Sequence, residues 1–126
     1  MRFDHCAYQV SDIETAVEFY TKKLGFKLLS VDVSEQHRIK YAFLELNGAK
    51  IELLEDLNGN FIKPQIKEPF CPHYCIEVED MNAAVNQLKA NDIEIVSGPS
   101  ACVDGEILVY FKDPDGNVIE YIQWLK

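Results

Sequence analysis

The sequence predicts an α+β fold built from two paired copies of one β-α-β-β-β module. Three observations carry this expectation. The chain repeats itself at an offset of 68 residues, each copy opens on an alternating run followed by a helical pattern, and each copy closes on two alternating runs joined by a turn dipeptide. The offset places His5 on His73, Val10 on Val78, Asp12 on Asp80, Ala16 on Ala84 and Val17 on Val85. With no gap it also places Phe43 on Phe111, Gly48 on Gly116, Ile51 on Ile119 and Glu52 on Glu120. The modules are read as residues 1–56 and 73–126, joined by a connector at 57–72, within one domain spanning 1–126.

In order along the chain, HCAYQV and HYCIEV alternate with a period of two, which suits a half-buried first strand. The first helix is expected to be capped by Ser11 or Asp12, with Ser11 and Glu14 fitting a capping box, Ile13, Ala16, Val17 and Tyr20 facing the core, and Gly25 ending the last turn. In the second, Asp80 caps, Met81, Ala84, Val85 and Leu88 repeat at helical spacing, and Asn91 stops it. Strands are expected near 26–33, 38–46 and 49–55, and again near 93–97, 106–112 and 117–124. Asn47-Gly48 and Asp115-Gly116 tolerate the positive φ of a tight hairpin. Pro64, Pro69, Pro72 and Asn58-Gly59 mark the connector, which has room for one short helical turn.

Length and composition set the class. A chain of 126 residues with 48% hydrophobic and 26% charged residues can bury one core and suits a soluble folded protein. Twelve Lys and Arg against 21 Asp and Glu leave a net charge of −9, the wrong sign for nucleic acid or an anionic membrane surface. The longest apolar run, Ile107 to Phe111, is far below a membrane span, and Met1-Arg2-Phe3-Asp4-His5 has no signal-peptide character, so a cytoplasmic location is expected. Cys6, Cys71, Cys75 and Cys102 form no Cys-x-x-Cys pair and read as free thiols.

The chemistry lies in the repeat. In each copy a Glu on the last strand follows a His on the first strand by 47 positions, giving His5, Glu52, His73 and Glu120. Two imidazoles and two carboxylates suit one divalent metal per site, Zn²⁺ or Ni²⁺ first, with Co²⁺, Mn²⁺ or Fe²⁺ also compatible. Any one of these residues alone would read as a satisfied core histidine or a solvated charge. Four at repeat-equivalent positions do not. Both glutamates sit in apolar runs, Ile51-Glu52-Leu53 and Ile119-Glu120-Tyr121, where an unpaired carboxylate would be costly. Cys71, His73 and Cys75 share a strand face and form a competing ligand set, which lacks the turn that lets a cysteine pair chelate one ion. His37, within the polar stretch Ser34 to Arg38, reads as a solvated hairpin residue.

The paired modules, the His-Glu-His-Glu positions and the stretches DPDGNVIEY and NGAKIELLE resemble the vicinal-oxygen-chelate (glyoxalase, bleomycin-resistance and dioxygenase) superfamily over essentially the whole chain. The resemblance implies a curved mixed sheet around a metal-lined cavity, a small-molecule substrate and a homodimer. The ligand pattern, carried over as His5, Glu52, His73 and Glu120, is similar to glyoxalase I, or lactoylglutathione lyase. That similarity implies a lyase or isomerase moving a proton next to a metal-chelated carbonyl, on the hemithioacetal of a 2-oxoaldehyde via an enediolate, with Glu120 and Glu52 as candidate bases.

Two positions depart from the glyoxalase I pattern. That enzyme commonly has Arg where this chain has Gln9, and Asn where it has Asp56, and both changes weaken anion recognition. KIELLEDLNGNFIKPQIKE is also similar to methylmalonyl-CoA epimerase, whose metal set is alike and which epimerises a carbon next to a thioester. A third alternative is a metal-free module that binds an aromatic or cationic drug. Such a module has no need of four paired His and Glu residues, which favours the metalloenzyme.

Overall fold

A computed structural model describes residues 1–102 and 105–125. The alternating segment at the start of each module forms a strand, β1 (His5–Gln9) in the first and β5 (His73–Glu77) in the second. The helices α1 (Ile13–Glu18) and α2 (Met81–Ala90) follow, and then three strands each: β2 (Lys27–Ser34), β3 (Ile39–Leu46) and β4 (Ala49–Asp56), and β6 (Ile95–Cys102), β7 (Glu106–Lys112) and β8 (Val118–Trp124). The architecture is the expected α+β pair of β-α-β-β-β modules, carried by two four-stranded mixed sheets ordered β1-β4-β3-β2 and β5-β8-β7-β6. In both, the first strand runs parallel to the last and the remaining pairs are antiparallel. The chain divides into two compact units, Met1–Lys63 and Pro64–Lys126, with the division inside the connector.

The same hydrogen bonds recur in both units. Asp12 caps α1 by accepting from the Thr15 amide, and Asp80 caps α2 by accepting from the Ala83 amide. Residues 55 and 123 are repeat equivalents, and each side chain reaches the start of its helix: Glu55 Oε1 accepts from the Ile13 amide at 2.9 Å, Gln123 Oε1 from the Met81 amide at 2.7 Å. These bonds satisfy donors that a helix N-terminus otherwise leaves open. Helix α1, with Ile13 and Ala16 buried, packs over β3 and β4, where Ala42, Leu44, Ile51 and Leu53 are buried, and α2, with Met81, Val85 and Leu88 buried, packs over β6, β7 and β8, where Val109, Phe111 and Ile119 are buried.

Four local details differ from expectation. Asp12 alone is the cap of α1, so Ser11 and Glu14 form no capping box; with Asp12 as cap, the third helical position is Thr15. Beyond Glu18 the helix widens into a π-helical turn over Phe19–Lys23, which buries two successive aromatic residues, Phe19 and Tyr20. β6 runs on to Cys102 through Gly98-Pro99, past the strand expected near 93–97. The sheet accommodates it by register shifts between Ile95 and Ser97 and between Ser97 and Ser100. Gly98 has φ +92° there, and a Cβ at that place would stand 2.7 Å from the Leu108 carbonyl oxygen, so only glycine fits. In the connector the expected helical turn is a tight turn, in which the Phe70 amide donates to the Lys67 carbonyl at 2.6 Å.

The two hairpins that close the modules are not alike. Asn47 (φ 49°) and Gly48 (φ 90°) form the whole loop between β3 and β4, with Leu46 opposite Ala49. Between β7 and β8, Lys112 stands opposite Val118 and the loop has five residues. Asp113 organises it, its carboxylate accepting from the amides of Asp115 and Asn117 and from the Asn117 side chain. The consequence is a one-residue slide. Phe43 pairs with Glu52, whereas Glu120 pairs with Tyr110 and not with Phe111. Phe111, the partner of Phe43 in the gapless repeat, is fully buried in the core.

Candidate active site

Strand alternation divides the first sheet into a core face, with Cys6, Tyr8, Ile51 and Leu53, and an open face carrying His5, Ala7, Gln9, Glu52 and Leu54. Ala7 stands directly across from Glu52, so His5 reaches the carboxylate diagonally. His5 Nε2 lies 3.3 Å from Glu52 Oε1, and its ring meets Phe43 edge to face with centroids 5.0 Å apart. The second sheet repeats the arrangement: His73 Nε2 lies 3.2 Å from Glu120 Oε1, and its ring meets Tyr110 edge to face at 5.2 Å. The structure thus brings the four residues singled out by sequence together as two pairs, His5 with Glu52 and His73 with Glu120.

The other ring nitrogen of each histidine fixes its tautomer. His73 Nδ1 is 2.8 Å from the Phe70 carbonyl oxygen, which can only accept, so Nδ1 carries the proton. His5 Nδ1 is 2.7 Å from Asp4 Oδ2. The hydrogen bond from His5, followed by the hydrogen bond and charge of Lys50, holds the Asp4 carboxyl below its usual range, so it too acts as an acceptor. In the neutral imidazole both Nε2 atoms therefore present a lone pair to a carboxylate oxygen. Two acceptors at 3.2–3.3 Å repel unless a proton or a cation lies between them. This donor set fits a divalent metal, with neutral imidazole and anionic carboxylate in the forms that bind one.

The surroundings of the two pairs differ. Glu120 is buried, with its side chain 10% exposed against 17% for Glu52, and His73 is 19% exposed against 32% for His5. Cys75 stands across from Glu120 where the first sheet has Ala7. Burial, then a hydrogen bond and charge from Glu120 and the charge of Glu77, push the Cys75 thiol up to about 12. Tyr110 is raised as well, by burial first and then by the charge and hydrogen bond of Glu120. Both stay protonated at neutral pH and stand beside Glu120 as its cross-strand neighbours. Cys71 Sγ lies 4.0 Å from His73 Nδ1.

Tyr110 is the site residue that sequence reasoning missed, because the gapless offset put Phe111 in its place. The differing loops at Asn47-Gly48 and Asp113–Asn117 are the signal that would have found it. An acidic group elsewhere, Asp12, Glu14 and Glu55, has carboxylate oxygens within 4.8 Å of one another. Its members already cap α1, accept from the Ile13 amide and pair with Lys40. His37 sits exposed in the turn between β2 and β3, its amide donating to Ser34 Oγ at 3.3 Å.

Residues 2–121 match the model of the Glyoxalase/Bleomycin resistance protein/Dioxygenase superfamily. The chain belongs to this superfamily. Among superfamily members, it is 32% identical over 127 residues to a Vibrio cholerae protein named probable lactoylglutathione lyase, covering 97% of this chain and 90% of that protein. It is 35% identical over 101 residues to bovine mitochondrial methylmalonyl-CoA epimerase, covering 76% of this chain. Several relatives are longer, and the chain spans about half of them, 44% of an Arabidopsis thaliana lactoylglutathione lyase and 57% of the bovine epimerase. A Bacillus cereus glyoxalase family protein of known structure superposes with a TM-score of 0.82 at 19% identity, covering 100% of this chain and 95% of that one, which shows the shared superfamily fold. Among the described residues, no helix is long and apolar enough to cross a membrane.

Proposed function

We propose that the protein is a metal-dependent lyase or isomerase of the glyoxalase I type, in which His5, Glu52, His73 and Glu120 together hold one divalent cation. The observation that carries this reading is the close approach of a His Nε2 to a Glu oxygen in both modules, at 3.3 and 3.2 Å, which presents two nitrogen and two oxygen ligands of the kind a divalent cation takes. The relatives named lactoylglutathione lyase support the reaction class. When bound, the metal supplies Lewis-acid polarisation of a substrate oxygen. The chain's own residues do the rest. Glu120, with Tyr110 and Cys75 as its strand neighbours, takes and returns the proton on the carbon adjacent to the substrate carbonyl. His5 and His73 are held in the metal-binding tautomer by Asp4 and the Phe70 carbonyl. Ala7 leaves space beside Glu52, the second candidate base, for a small substrate. Zn²⁺ or Ni²⁺ as the ion, a cytoplasmic location, and a homodimer as the working form belong to the same proposal.

A second reading is favoured by the similarity to the bovine epimerase, in which the same carboxylates would move a proton next to a thioester. One experiment separates the readings. Metal content is measured by elemental analysis after dialysis and readdition of Ni²⁺ or Zn²⁺, for the wild type and for His5→Ala and His73→Ala, followed by assays on a methylglyoxal hemithioacetal and on methylmalonyl-CoA. About one ion per site, lost in both variants, with turnover of the hemithioacetal alone, is the expected result. Turnover of methylmalonyl-CoA alone replaces the first reading with the second. Absence of specific metal uptake overturns both and leaves a metal-free binding module.

A further inference from the structure

Phe70 holds an uncommon backbone conformation. Four non-glycine residues among those described have a positive φ: Arg38 (55°), Asn47 (49°), Phe70 (63°) and Asp92 (56°). In this left-handed region Cβ crowds the following carbonyl oxygen, a cost that Asn and Asp offset with local hydrogen bonds from their side chains and that Phe cannot. Phe70 keeps the conformation at the entrance to β5, three residues before His73. A strained residue of this kind persists only where its surroundings hold it.

The surroundings are the site itself. The Phe70 amide is tied into the turn by donating to the Lys67 carbonyl at 2.6 Å. With the amide fixed, rotation about the N–Cα bond decides where the carbonyl and the ring go, and at φ 63° both reach the site. The carbonyl accepts from His73 Nδ1 at 2.8 Å, and the ring lies against Tyr110 with centroids 4.9 Å apart. Tyr110 in turn meets His73 edge to face at 5.2 Å. The contacts close on themselves: the Phe70 ring to Tyr110, Tyr110 to His73, and His73 back to the Phe70 carbonyl. A return of φ to the ordinary negative range would open two of these three contacts at once. The first module is built otherwise. The repeat places the exposed Arg2 where Phe70 stands, no described residue before Gly25 has a positive φ, and His5 is held by the Asp4 side chain.

We propose that Phe70 is a positioning residue for the second module's half of the site: its left-handed backbone sets the tautomer of His73, and its ring sets the place of Tyr110 beside Glu120. The bearing of Phe70 on turnover rests on the metalloenzyme reading above, and its hold on His73 and Tyr110 does not. The two are tested separately.

Three substitutions separate the backbone from the ring. Phe70→Gly enters the left-handed region freely and lacks the ring. Phe70→Val is β-branched and is driven out of that region. Phe70→Tyr keeps the ring. Each is read first on the metal-free, isotopically labelled protein by NMR in mildly alkaline solution, where imidazole is neutral, following the His73 ring nitrogens and the Tyr110 ring protons. Phe70→Gly is expected to keep the wild-type nitrogen pattern, a protonated Nδ1 and a bare Nε2, while the Tyr110 signals move toward those of an unstacked tyrosine. Phe70→Val should lose both features, its two nitrogen signals drawn together by exchange between tautomers, and Phe70→Tyr should keep both. A wild-type nitrogen pattern in Phe70→Val, its loss in Phe70→Gly, or unmoved Tyr110 signals in Phe70→Gly overturns the proposal; should Phe70→Val not fold, Phe70→Gly decides alone. Metal affinity and kcat are then measured. Phe70→Val is expected to bind the ion about tenfold more weakly, as on loss of a partner behind a histidine ligand, and Phe70→Gly to bind it as the wild type does with kcat lowered severalfold. Unchanged metal affinity in Phe70→Val despite a disturbed tautomer sinks the link from Phe70 to the ion. Absence of specific metal uptake by the wild type, with the NMR pattern as expected, sinks the metalloenzyme reading and leaves the hold of Phe70 on the two rings standing.

Discussion

The first and second modules carry the same His–Glu pair on equivalent strands, yet they surround it differently. In the first, Glu52 has Ala7 and Phe43 as strand neighbours, neither able to donate a side-chain hydrogen bond, and the pair is the more exposed of the two. In the second, Cys75 and Tyr110 occupy those places, a thiol and a phenol beside Glu120, which is buried. A symmetric set of donors therefore sits in asymmetric environments, and two chemically identical carboxylates are given different freedom. A buried carboxylate packed between polar side chains has less freedom to move, while one with an open side can exchange partners.

The most severe test of this contrast is the exchange of each carboxylate for its amide. Glu120→Gln is expected to reduce kcat by about a thousandfold or more while the circular dichroism spectrum is unchanged, and Glu52→Gln to cost less. Equal losses would show that the surroundings do not distinguish the two. The one-residue slide between the hairpins gives the next largest effect: Phe111→Ala should cost about 3–5 kcal/mol of unfolding free energy, as for a buried aromatic. Phe43→Ala, at the position that the gapless repeat equates with it, should cost clearly less, and denaturant titration of both decides the matter. Tyr110→Phe keeps the ring against His73 and removes only the hydroxyl, so about a tenfold loss of kcat with little change in stability is expected. Phe43→Tyr in the other module should leave kcat near that of the wild type.

The smallest expected effect concerns the helix caps. Asp12→Ala should destabilise by about 1 kcal/mol, as should Asp80→Ala. Asp12 titrates below its ordinary value of 3.8 because the Thr15 amide and hydroxyl donate to it, so its stabilisation is complete above that value and disappears as the pH falls through the lowered one. The difference in stability between wild type and Asp12→Ala should accordingly shrink in strongly acidic solution, as urea titrations at neutral pH and near pH 3 would show.

Much of this arrangement is legible from residues alone. The repeat, the caps at Asp80 and Asn91, the strands of the second hairpin and the pairing of His5 with Glu52 and of His73 with Glu120 follow from alternation, helical spacing and a constant offset. The faces of β7 do not, because the constant offset hides two changes that cancel. Four residues separate Ser34 from Ile39 but three separate Cys102 from Glu106, and the following loop is longer in the second module. Glu120 is thus still 68 positions from Glu52, while the strand between has slid by one and every side chain on it has changed face relative to the offset. The π-helical turn at Phe19–Lys23 and the passage of β6 through Gly98-Pro99 escaped for a different reason: tertiary packing overrides the local preference there.

The partners that orient the two histidines also respond differently to the solution around them. Asp4 is exposed and holds His5 through charge, with Lys50 Nζ 3.1 Å from its other oxygen, a tether that added electrolyte weakens. The Phe70 carbonyl that holds His73 is an uncharged backbone group in a turn, and dissolved salt leaves it largely untouched. The setting of one imidazole is in this sense a function of ionic strength, and the setting of the other a property of the chain's own path.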